Sequence, residues 1–543
     1  MTRRRLPALF ALAFLLAVAA PAWGEGVGPG REAPPSMPGA TVRVPQDAPT
    51  IQEAVDDARP GGLVLISPGV YHEAVTVRTP FLTIRGTDRN RVILDGGFRL
   101  ENGIHVIEAD GVAVENMTAR HYLLNGFLWS SVFGFRGSFL TAYDDGDYGL
   151  FAYDSQYGQF DHSYASGHPD SGFYIGQCNP CHAVVADVLA EDNALGFSGT
   201  NAGGGLYVVN SEWRDNFAGI VPNTLDSEEN PPQHDAVIAG NWVHDNGNPN
   251  APSEPLEYPS LGIGIVVNGG RGNLVTQNLV EGNGVFGIAL LPSPDRHFWA
   301  TQDNRVTDNL VRDSGRADLA LGAPSAGGDC FGGNEFGTSA PAAIELIYGC
   351  GFTPNSFGGG ELGVTLGPLL RFLQARRGNA PGGDWMTQPA PPRQPSMPSA
   401  ALAPPDPAIA GTAVPQPFTI RDARTLAVPV LDHISQEVTV FGFPLATTWW
   451  GLLLGLYGYV LPLILYSAWV SIALWDLVRQ DAVPNRVRLA WMVVVLLVPL
   501  VGPVAYFALG RSPIQRSLRW MLVAGGLGVY MLMILLGVLV GPS

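Results

Sequence analysis

Two pairs of ionisable side chains recur at a spacing of 23 residues in the middle of the chain. Asp145 is followed by His168 at this spacing, and Asp147 is followed by Asp170. Two carboxyl groups held close together repel each other, so such a pair binds a cation or shares a proton with a raised pKa. Asp145, Asp147, His168 and Asp170 are therefore candidate catalytic residues. Asp147 and Asp170 also form a candidate calcium site, because calcium prefers carboxylate oxygens.

Aromatic side chains lie close to these groups in the sequence. Phe151, Tyr153 and Tyr174 occupy positions that alternate with apolar residues, so in strands they point outward. Rings on an open surface offer flat apolar faces with polar edges, which suit sugar rings. The sequence therefore predicts a shallow polar groove with aromatic sides and a polysaccharide as its ligand.

The charge of the chain restricts the classes of partner. The formal net charge is −17 and no basic stripe is visible, which excludes a nucleic-acid partner. All 31 basic residues are arginine. Mechanisms that need a Schiff-base lysine are therefore excluded.

The elements that position these residues follow from a glycine repeat. Successive glycines from Gly103 to Gly219 are 23 or 24 residues apart, and Gly264 and Gly287 are again 23 apart. Such a period indicates stacked coils, none of which buries its apolar face alone. The residue after each glycine is expected to point inward and to form a ladder through the stack. The ladder comprises Ile104, Phe127, Leu150, Phe173, Phe197, Ile220, Ile265 and Ile288.

Polar residues are expected to form columns in the same stack. Counting back four residues from each glycine predicts one column, and a recurring asparagine at a tight turn predicts a second. The first comprises Asp145, His168, Asp192 and Asp215. The second comprises Asn210, Asn241, Asn278 and Asn309.

The beginning of this region has the pattern of a cap. Thr50 is placed to cap a short helix in which Ile51, Ala54, Val55 and Ala58 share one face. This opening and the coil repeat, between Val42 and Cys350, resemble the right-handed parallel β-helix superfamily of pectate-lyase-like proteins. The resemblance implies an all-β right-handed parallel β-helix solenoid of about 23 residues per coil.

The same resemblance names activities without selecting one. The superfamily includes pectate lyases, polygalacturonases, mannuronan epimerases and the periplasmic accessory protein of nitrous-oxide reductase. Asp144-Asp145 followed by Gly167-His168-Pro169 is similar to part of the polygalacturonase pattern, but the Asn-Thr-Asp and Arg-x-Lys parts are absent. If the chain is an enzyme, the resemblance implies a polysaccharide lyase, a glycoside hydrolase or an epimerase.

The four cysteines indicate an oxidising compartment. Cys178 and Cys181 form a CxxC, and Cys330 and Cys350 lie 20 residues apart. Two disulfides are expected, with their pairing left open.

The flanking segments predict export and membrane attachment. Residues 1–24 have the pattern of a secretory signal peptide, and 42–375 form the β-helix domain. A Pro-rich linker, extended and partly disordered, is expected over 376–440. An α-helical transmembrane region is predicted over 445–543, with spans at 445–474, 489–509 and 520–540. The predicted location is the cell membrane, with the β-helix extracytoplasmic.

The second of these apolar stretches carries a resemblance of its own. The pattern Trp491, Pro499, Gly502-Pro503, Tyr506 and Gly510-Arg511 resembles the membrane segment that precedes the catalytic domains of cardiolipin-synthase-type phospholipase D enzymes. Those enzymes need a His-x-Lys motif. Because the chain has no lysine, phospholipase D activity is excluded and only an anchoring role is implied.

Two hypotheses for the function follow. The first is a membrane-anchored extracytoplasmic β-helix that binds, and in one version cleaves or epimerises, an envelope or extracellular polysaccharide. The alternative is a non-catalytic periplasmic or extracellular scaffold for a protein partner or for metal delivery. Calcium is the only cofactor that the sequence suggests.

Overall fold

The computed structural model describes most of the chain in two units. The described residues are 39–351, 358–378, 380–408, 414–418, 438–440, 443–445, 470–479, 484–497, 501–509, 514–515, 517–520 and 522–524. The units are Met1–Val430 and Leu431–Ser543. The predicted signal peptide at 1–24 lies outside the described residues.

The first unit is a parallel β-helix with three sheets, which we name A, B and C in the order in which each coil enters them. Sheet A contains Thr41–Val44, Leu63–Ile66, Thr83–Gly86, Val112–Glu115, Phe133–Ser138, Gln156–Asp161, Ala183–Ala186, Gly203–Val209, His234–Ala239, Leu274–Thr276, Arg305–Thr307 and Cys330–Gly332. Sheet B contains Gly69–Tyr71, Val92–Asp95, Thr118–Arg120, Thr141–Tyr143, Tyr164–Ser166, Leu189–Glu191, Glu212–Arg214, Trp242–His244, Leu279–Glu281, Leu310–Arg312 and Glu335–Phe336. Sheet C contains Val75–Val77, Asn102–Ile107, Asn125–Ser130, Tyr148–Tyr153, Ser171–Gly176, Leu195–Ser198, Ala218–Val221, Ile263–Asn268, Phe286–Leu291, Ala317–Leu321 and Ser339–Ala340.

The predicted inward ladder is confirmed in sheet C. Parallel pairing joins Ile104 to Phe127, and the series continues coil by coil to Ile288. All eight side chains have no exposed surface. Burying a side chain of this size stabilises a fold by about 1.5–3 kcal/mol, so the ladder is a large part of the core.

The N-terminal cap is also confirmed. Helix α1 (Ile51–Asp57) begins after Thr50, whose hydroxyl accepts a hydrogen bond from the backbone of Glu53 at 3.1 Å. Ile51, Ala54 and Val55 are buried. The helix therefore packs its apolar face onto the first coils, as the sequence predicted.

The predicted asparagine ladder is correct for three of its four members. The side-chain amide of Asn241 donates to Asn278 at 3.0 Å, and Asn278 donates to Asn309 at 2.9 Å, in the turns between sheets A and B. Asn210 does not belong, because Ser211 occupies that place and donates its backbone N–H to Asn241. Asn210 has a φ of +53°, whereas the ladder asparagines have negative φ. The residue before each ladder asparagine therefore takes the left-handed backbone conformation of the turn.

The Pro-rich segment after the β-helix folds back onto it. We call residues 380–408 and 414–418 the strap. Asn90 and Gln394 exchange two hydrogen bonds of 2.9 Å between side chain and backbone. Asn210 binds the strap in the same way, donating to Gln416 and accepting from Phe418. The predicted linker therefore contacts the β-helix over these residues, because polar side chains of the coils bond the strap backbone.

Two buried arginines anchor the strap. Arg85 pairs with Glu115 at 2.6 Å and donates to the carbonyls of Ala403 and Pro404. Arg89, only 1% exposed, donates to the Pro395 carbonyl at 3.0 Å as well as to groups of the β-helix. Arg89 has no carboxylate partner among its hydrogen bonds, and burial lowers its pKa to about 9.

The first unit also contains short helices and two disulfides. Helices α2 (Ile344–Ile347) and α3 (Leu362–Ala375) follow the last coils. One 3₁₀ helix, Tyr258–Ser260, interrupts an excursion from the stack, and another, Trp385–Thr387, lies in the strap. The two expected disulfides are present, and they join Cys178 to Cys181 and Cys330 to Cys350.

The second unit contains helices α4 (Asn485–Leu497) and α5 (Val501–Leu509) and a hairpin of Val438–Val440 with Phe443–Leu445. No helix among the described residues has the length and apolarity needed to cross a membrane. The predicted spans 445–474 and 520–540 lie mostly outside the described residues. Transmembrane topology therefore stays a prediction.

Replacing Arg89 by methionine is expected to lower the free energy of unfolding of the β-helix by about 3 kcal/mol, because buried carbonyls lose charged donors. Chemical denaturation measures this change, and limited proteolysis should show faster cleavage near Pro395. The exposed neighbour provides the control, since Arg91→Met removes the same charge at the surface. Equal stability of the two variants would contradict the anchoring role.

Candidate functional site

The predicted pair of Asp145 and His168 lies inside the fold. Both side chains have no exposed surface, and Nε2 of His168 is 3.3 Å from Oδ2 of Asp145. Asp145 also accepts a hydrogen bond from the backbone of Tyr122 at 2.9 Å. Burial raises the pKa of Asp145, and His168 opposes part of this shift. A substrate on the surface cannot reach either group.

These two residues begin a polar column in the turns between sheets B and C. Nδ1 of His168 lies 2.7 Å from Oδ1 of Asn193, and the amide of Asn193 donates to Asn216 at 3.0 Å. The column continues from Asn216 to Asn246 and from Asn246 to Asn283. The sequence pattern did not predict this second asparagine ladder.

The predicted places of Asp192 and Asp215 in that column are wrong. Tyr164 pairs with Leu189, 25 residues later, so this coil is longer than the repeat and shifts the alignment of the turn. Asn193 and Asn216 therefore occupy the column. Asp192 and Asp215 precede them with φ values of +56° and +52°, in the left-handed part of the turn.

Asp147 and Asp170 lie at the edge of sheet C, just before the strands Tyr148–Tyr153 and Ser171–Gly176. The backbone N–H of Asp170 donates to the Asp147 carbonyl at 3.3 Å, so the two residues lie on adjacent coils. The Tyr148 hydroxyl donates to Oδ2 of Asp170 at 2.8 Å, and Ser171 donates to Oδ1 at 3.2 Å. Unlike Asp145 and His168, both residues are only partly buried.

The environment of these carboxyl groups favours their protonated forms. Burial raises the pKa of Asp147 to about 7, and repulsion from Asp170 and Glu254 adds to the shift. Burial also raises the pKa of Asp170 to about 6, although the Tyr148 and Ser171 hydrogen bonds oppose it. Burial raises the pKa of Tyr148 well above its usual value. Both aspartates thus titrate near neutral pH, while Tyr148 stays a phenol.

An excursion at residues 248–261 supplies two further carboxyl groups. The backbone of Glu254 donates to the Pro169 carbonyl at 3.1 Å, directly beside Asp170. Oε2 of Glu257 is enclosed and has no hydrogen-bond partner among the described residues. Burial and repulsion from Asp170 and Glu254 raise the pKa of Glu257 well above its usual value. The sequence analysis did not single out either glutamate.

Three of the four neighbouring aromatic rings form a compact cluster on the outer face of sheet C. The Phe151 ring lies 4.3 Å from Tyr148 and 4.7 Å from Tyr174, centroid to centroid, and Tyr153 is 6.3 Å away. Phe151 and Tyr153 are partly exposed, as a stacking role requires. Tyr174 is only 2% exposed and forms part of the wall instead.

The acidic loop 222–235 borders the groove on the other side. The backbone of Glu229 donates to the side chain of Gln177 at 3.3 Å, and Gln177 donates to the Tyr174 hydroxyl at 3.1 Å. Repulsion from Glu228 contributes to the raised pKa of Asp170. We call the surface between this loop and the 248–261 excursion, over strands Tyr148–Tyr153 and Ser171–Gly176, the sheet C groove.

The segment after the β-helix holds the excursion in place. Arg371 of α3 donates to the Leu261 carbonyl at 3.0 Å, and the Ser253 hydroxyl donates to the strap carbonyl of Pro381 at 3.2 Å. The strap residue Gly383 donates its N–H to the Ala251 carbonyl at 3.0 Å. One wall of the groove therefore depends on residues more than 100 positions later in the chain.

The candidate residues thus divide into two sets. Asp147, Asp170, Phe151 and Tyr153 meet in the groove, together with Tyr148, Glu254 and Glu257, which the sequence did not single out. Tyr148 carried a usable signal, since it follows Asp147 directly. Within the described residues, no group of three or more His, Cys, Asp or Glu side chains is arranged to hold a metal ion. The calcium site at Asp147 and Asp170 stays a prediction.

Two family models match the sequence. Residues 89–296 match the right-handed β-helix region, and residues 468–511 match the N-terminal segment of phospholipase D-nucleases. Both resemblances seen in the sequence are thereby confirmed, and the parallel coils are right-handed. No curated protein matches the chain significantly.

Several solved structures are similar to part of the chain. The A-module of a mannuronan C-5 epimerase from Azotobacter vinelandii is 14% identical, with 52% of this chain and 90% of that chain covered and a TM-score of 0.33. An alginate lyase from Paenibacillus sp. is 15% identical, with 52% and 97% covered and a TM-score of 0.38. The catalytic domain of a GH87 α-1,3-glucanase is 15% identical, with 58% and 67% covered and a TM-score of 0.37.

The raised pKa of Asp147 predicts a pH-dependent gain in stability for Asp147→Asn. A folded-state pKa near 7 means that the native protein binds the extra proton, so the stability due to this group falls as pH rises from about 4 to 7. The full pKa shift of Asp147 corresponds to about 4 kcal/mol in the free energy of unfolding. Partial exposure of the side chain reduces this effect to about 2 kcal/mol. Denaturation at pH 8 should show the Asp147→Asn variant to be more stable than the unchanged protein.

The same comparison at pH 4 provides the control, because Asp147 is then protonated in the native protein and the two proteins should be equally stable. A constant difference at both pH values would contradict a raised pKa at this position.

The buried position of His168 predicts a structural effect of its replacement. His168→Ala should lower the free energy of unfolding by about 2 kcal/mol, because Asp145 and Asn193 lose a buried partner. His168→Asn should lose less, since asparagine occupies the same place in later coils. Thermal denaturation measures both variants. Equal losses would show that the side-chain amide cannot continue the column.

Proposed function

We propose that the β-helix binds a polysaccharide chain across the sheet C groove. The observation that carries the proposal is the meeting of partly exposed rings, Phe151 and Tyr153, with the carboxyl pair Asp147 and Asp170 on one open face. Rings contribute apolar contact to a sugar, and carboxyl groups bond its hydroxyls.

The carboxyl pair also gives the groove a capacity for acid–base chemistry. An acid and a base act best with pKa values near the working pH, and those of Asp147 and Asp170 are about 7 and about 6. One group donates a proton while the other accepts one. Lyases, glycoside hydrolases and epimerases each move a proton at the sugar, so the pair is compatible with all three.

Attachment to the cell membrane is part of the proposal. The phospholipase D-nuclease N-terminal match at 468–511 coincides with the second apolar stretch, and the cysteines of the first unit are bonded as in exported proteins. The β-helix would then act outside the cytoplasm on an envelope or extracellular glycan.

Binding of oligosaccharides to the full chain, measured by calorimetry against a panel of acidic, neutral and amino-sugar hexamers, tests the proposal. At least one class of hexamer should bind. Phe151→Ala should lower the affinity for that class about tenfold, since one aromatic contact contributes about 1.4 kcal/mol. Phe133→Ala is the matched control, because Phe133 is a partly exposed ring on sheet A. Asp147→Asn should retain binding but abolish any turnover.

The proposal fails if no hexamer binds, or if the Phe151 and Phe133 variants lose affinity equally. Binding of a purified envelope protein instead of any glycan would support the scaffold hypothesis.

A further inference from the structure

The sheet C groove is lined by acidic side chains that have no basic partner. None of the ion pairs among the described residues includes any of them. The six acidic residues are Asp147, Asp170, Glu228, Glu229, Glu254 and Glu257. Elsewhere on the β-helix the acidic residues are commonly paired, as in Arg214 with Glu191 and Arg312 with Glu281. The groove therefore concentrates carboxyl groups whose charge, when they ionise, no basic side chain compensates.

Separate parts of the chain bring these groups together. Asp147 and Asp170 come from adjacent coils, whereas Glu254 is held beside Pro169 by a backbone hydrogen bond of 3.1 Å. Glu229 is held at the opposite border by its bond to Gln177. Because three chain segments converge, the charge is a property of the folded groove and not of one acidic run.

Glu257 provides an independent indication of a missing ligand group. Its Oε2 atom is enclosed, and no donor of the described residues binds it. A buried acceptor without a donor is costly, and native proteins retain few of them outside functional sites. A donor supplied by a ligand would satisfy this oxygen.

We propose that the ligand of the sheet C groove is a glycan of amino sugars that carry free ammonium groups. The inference rests on the proposed glycan-binding function and specifies its substrate class. An ammonium group offers three hydrogen-bond donors and one positive charge, so it both satisfies Glu257 and relieves the repulsion among its neighbours. A polyuronate would add further carboxylates to the same space, and their repulsion disfavours its binding.

The test compares three hexasaccharides with the full chain at pH 6 and about 0.15 M salt, where exposed charges are largely screened. The probes are a glucosamine hexamer, its fully N-acetylated counterpart and a galacturonate hexamer. We expect the glucosamine hexamer to bind at least tenfold more tightly than the acetylated one, and the galacturonate hexamer not to bind.

Two variants separate the groove from the general acidity of the chain. Glu254→Gln should lower the affinity for the glucosamine hexamer at least fivefold. Asp57→Asn removes one exposed charge from α1 and should leave the affinity unchanged. Equal losses would attribute binding to net charge and overturn the inference.

Proton release provides a second measurement. Binding of an ammonium group should ionise carboxyl groups that are protonated in the free groove. Calorimetry in buffers of different ionisation enthalpy measures the protons released. We expect release with the glucosamine hexamer and none with the acetylated one. Equal affinity for these two hexamers, or tighter binding of the galacturonate, overturns the inference while leaving glycan binding intact. If none of the three hexamers and no neutral glycan binds, the proposed function itself is contradicted.

Discussion

The lateral pairing of successive coils is the constraint on which the rest of the structure depends. Each strand has its hydrogen-bonding partners one coil away, so a shift of one residue would turn every inward side chain outward. The ladder from Ile104 to Ile288 and the asparagine ladders in the turns specify the same register. An apolar column alone tolerates sliding, whereas an amide that both donates and accepts along the stack does not.

This register separates buried polar residues from functional ones over very short distances. Asp145 and Asp147 are two positions apart, yet Asp145 faces the interior at a turn and Asp147 opens onto the sheet C groove. A polar group inside the stack needs partners from the coils on both sides, and Asp145 finds them in Tyr122 and His168. A carboxyl at the groove is free of that requirement, and its pKa reports burial and repulsion.

The strap extends the same principle beyond the coils. Its prolines lack N–H groups and cannot donate to the carbonyls of the strap itself. Those carbonyls accept hydrogen bonds from the β-helix instead, and Arg85 and Arg89 donate them from buried positions. By joining the 248–261 excursion at Ser253, the strap also stabilises a wall of the groove. The C-terminal part of the first unit thus contributes to the site as well as to the fold.

The sequence by itself determined the coil repeat, the inward ladder and the capping helix, because a 23-residue period and alternation of side chains are local properties of the chain. It also predicted Asp147, Asp170, Phe151 and Tyr153 as groove residues. Only the tertiary structure decided that Asp145 and His168 are enclosed, since their burial depends on partners from adjacent coils. Only folding brought the 248–261 excursion and the strap to the groove, because these segments follow contacts between residues about 80 to more than 300 positions apart, and no local pattern encodes such contacts.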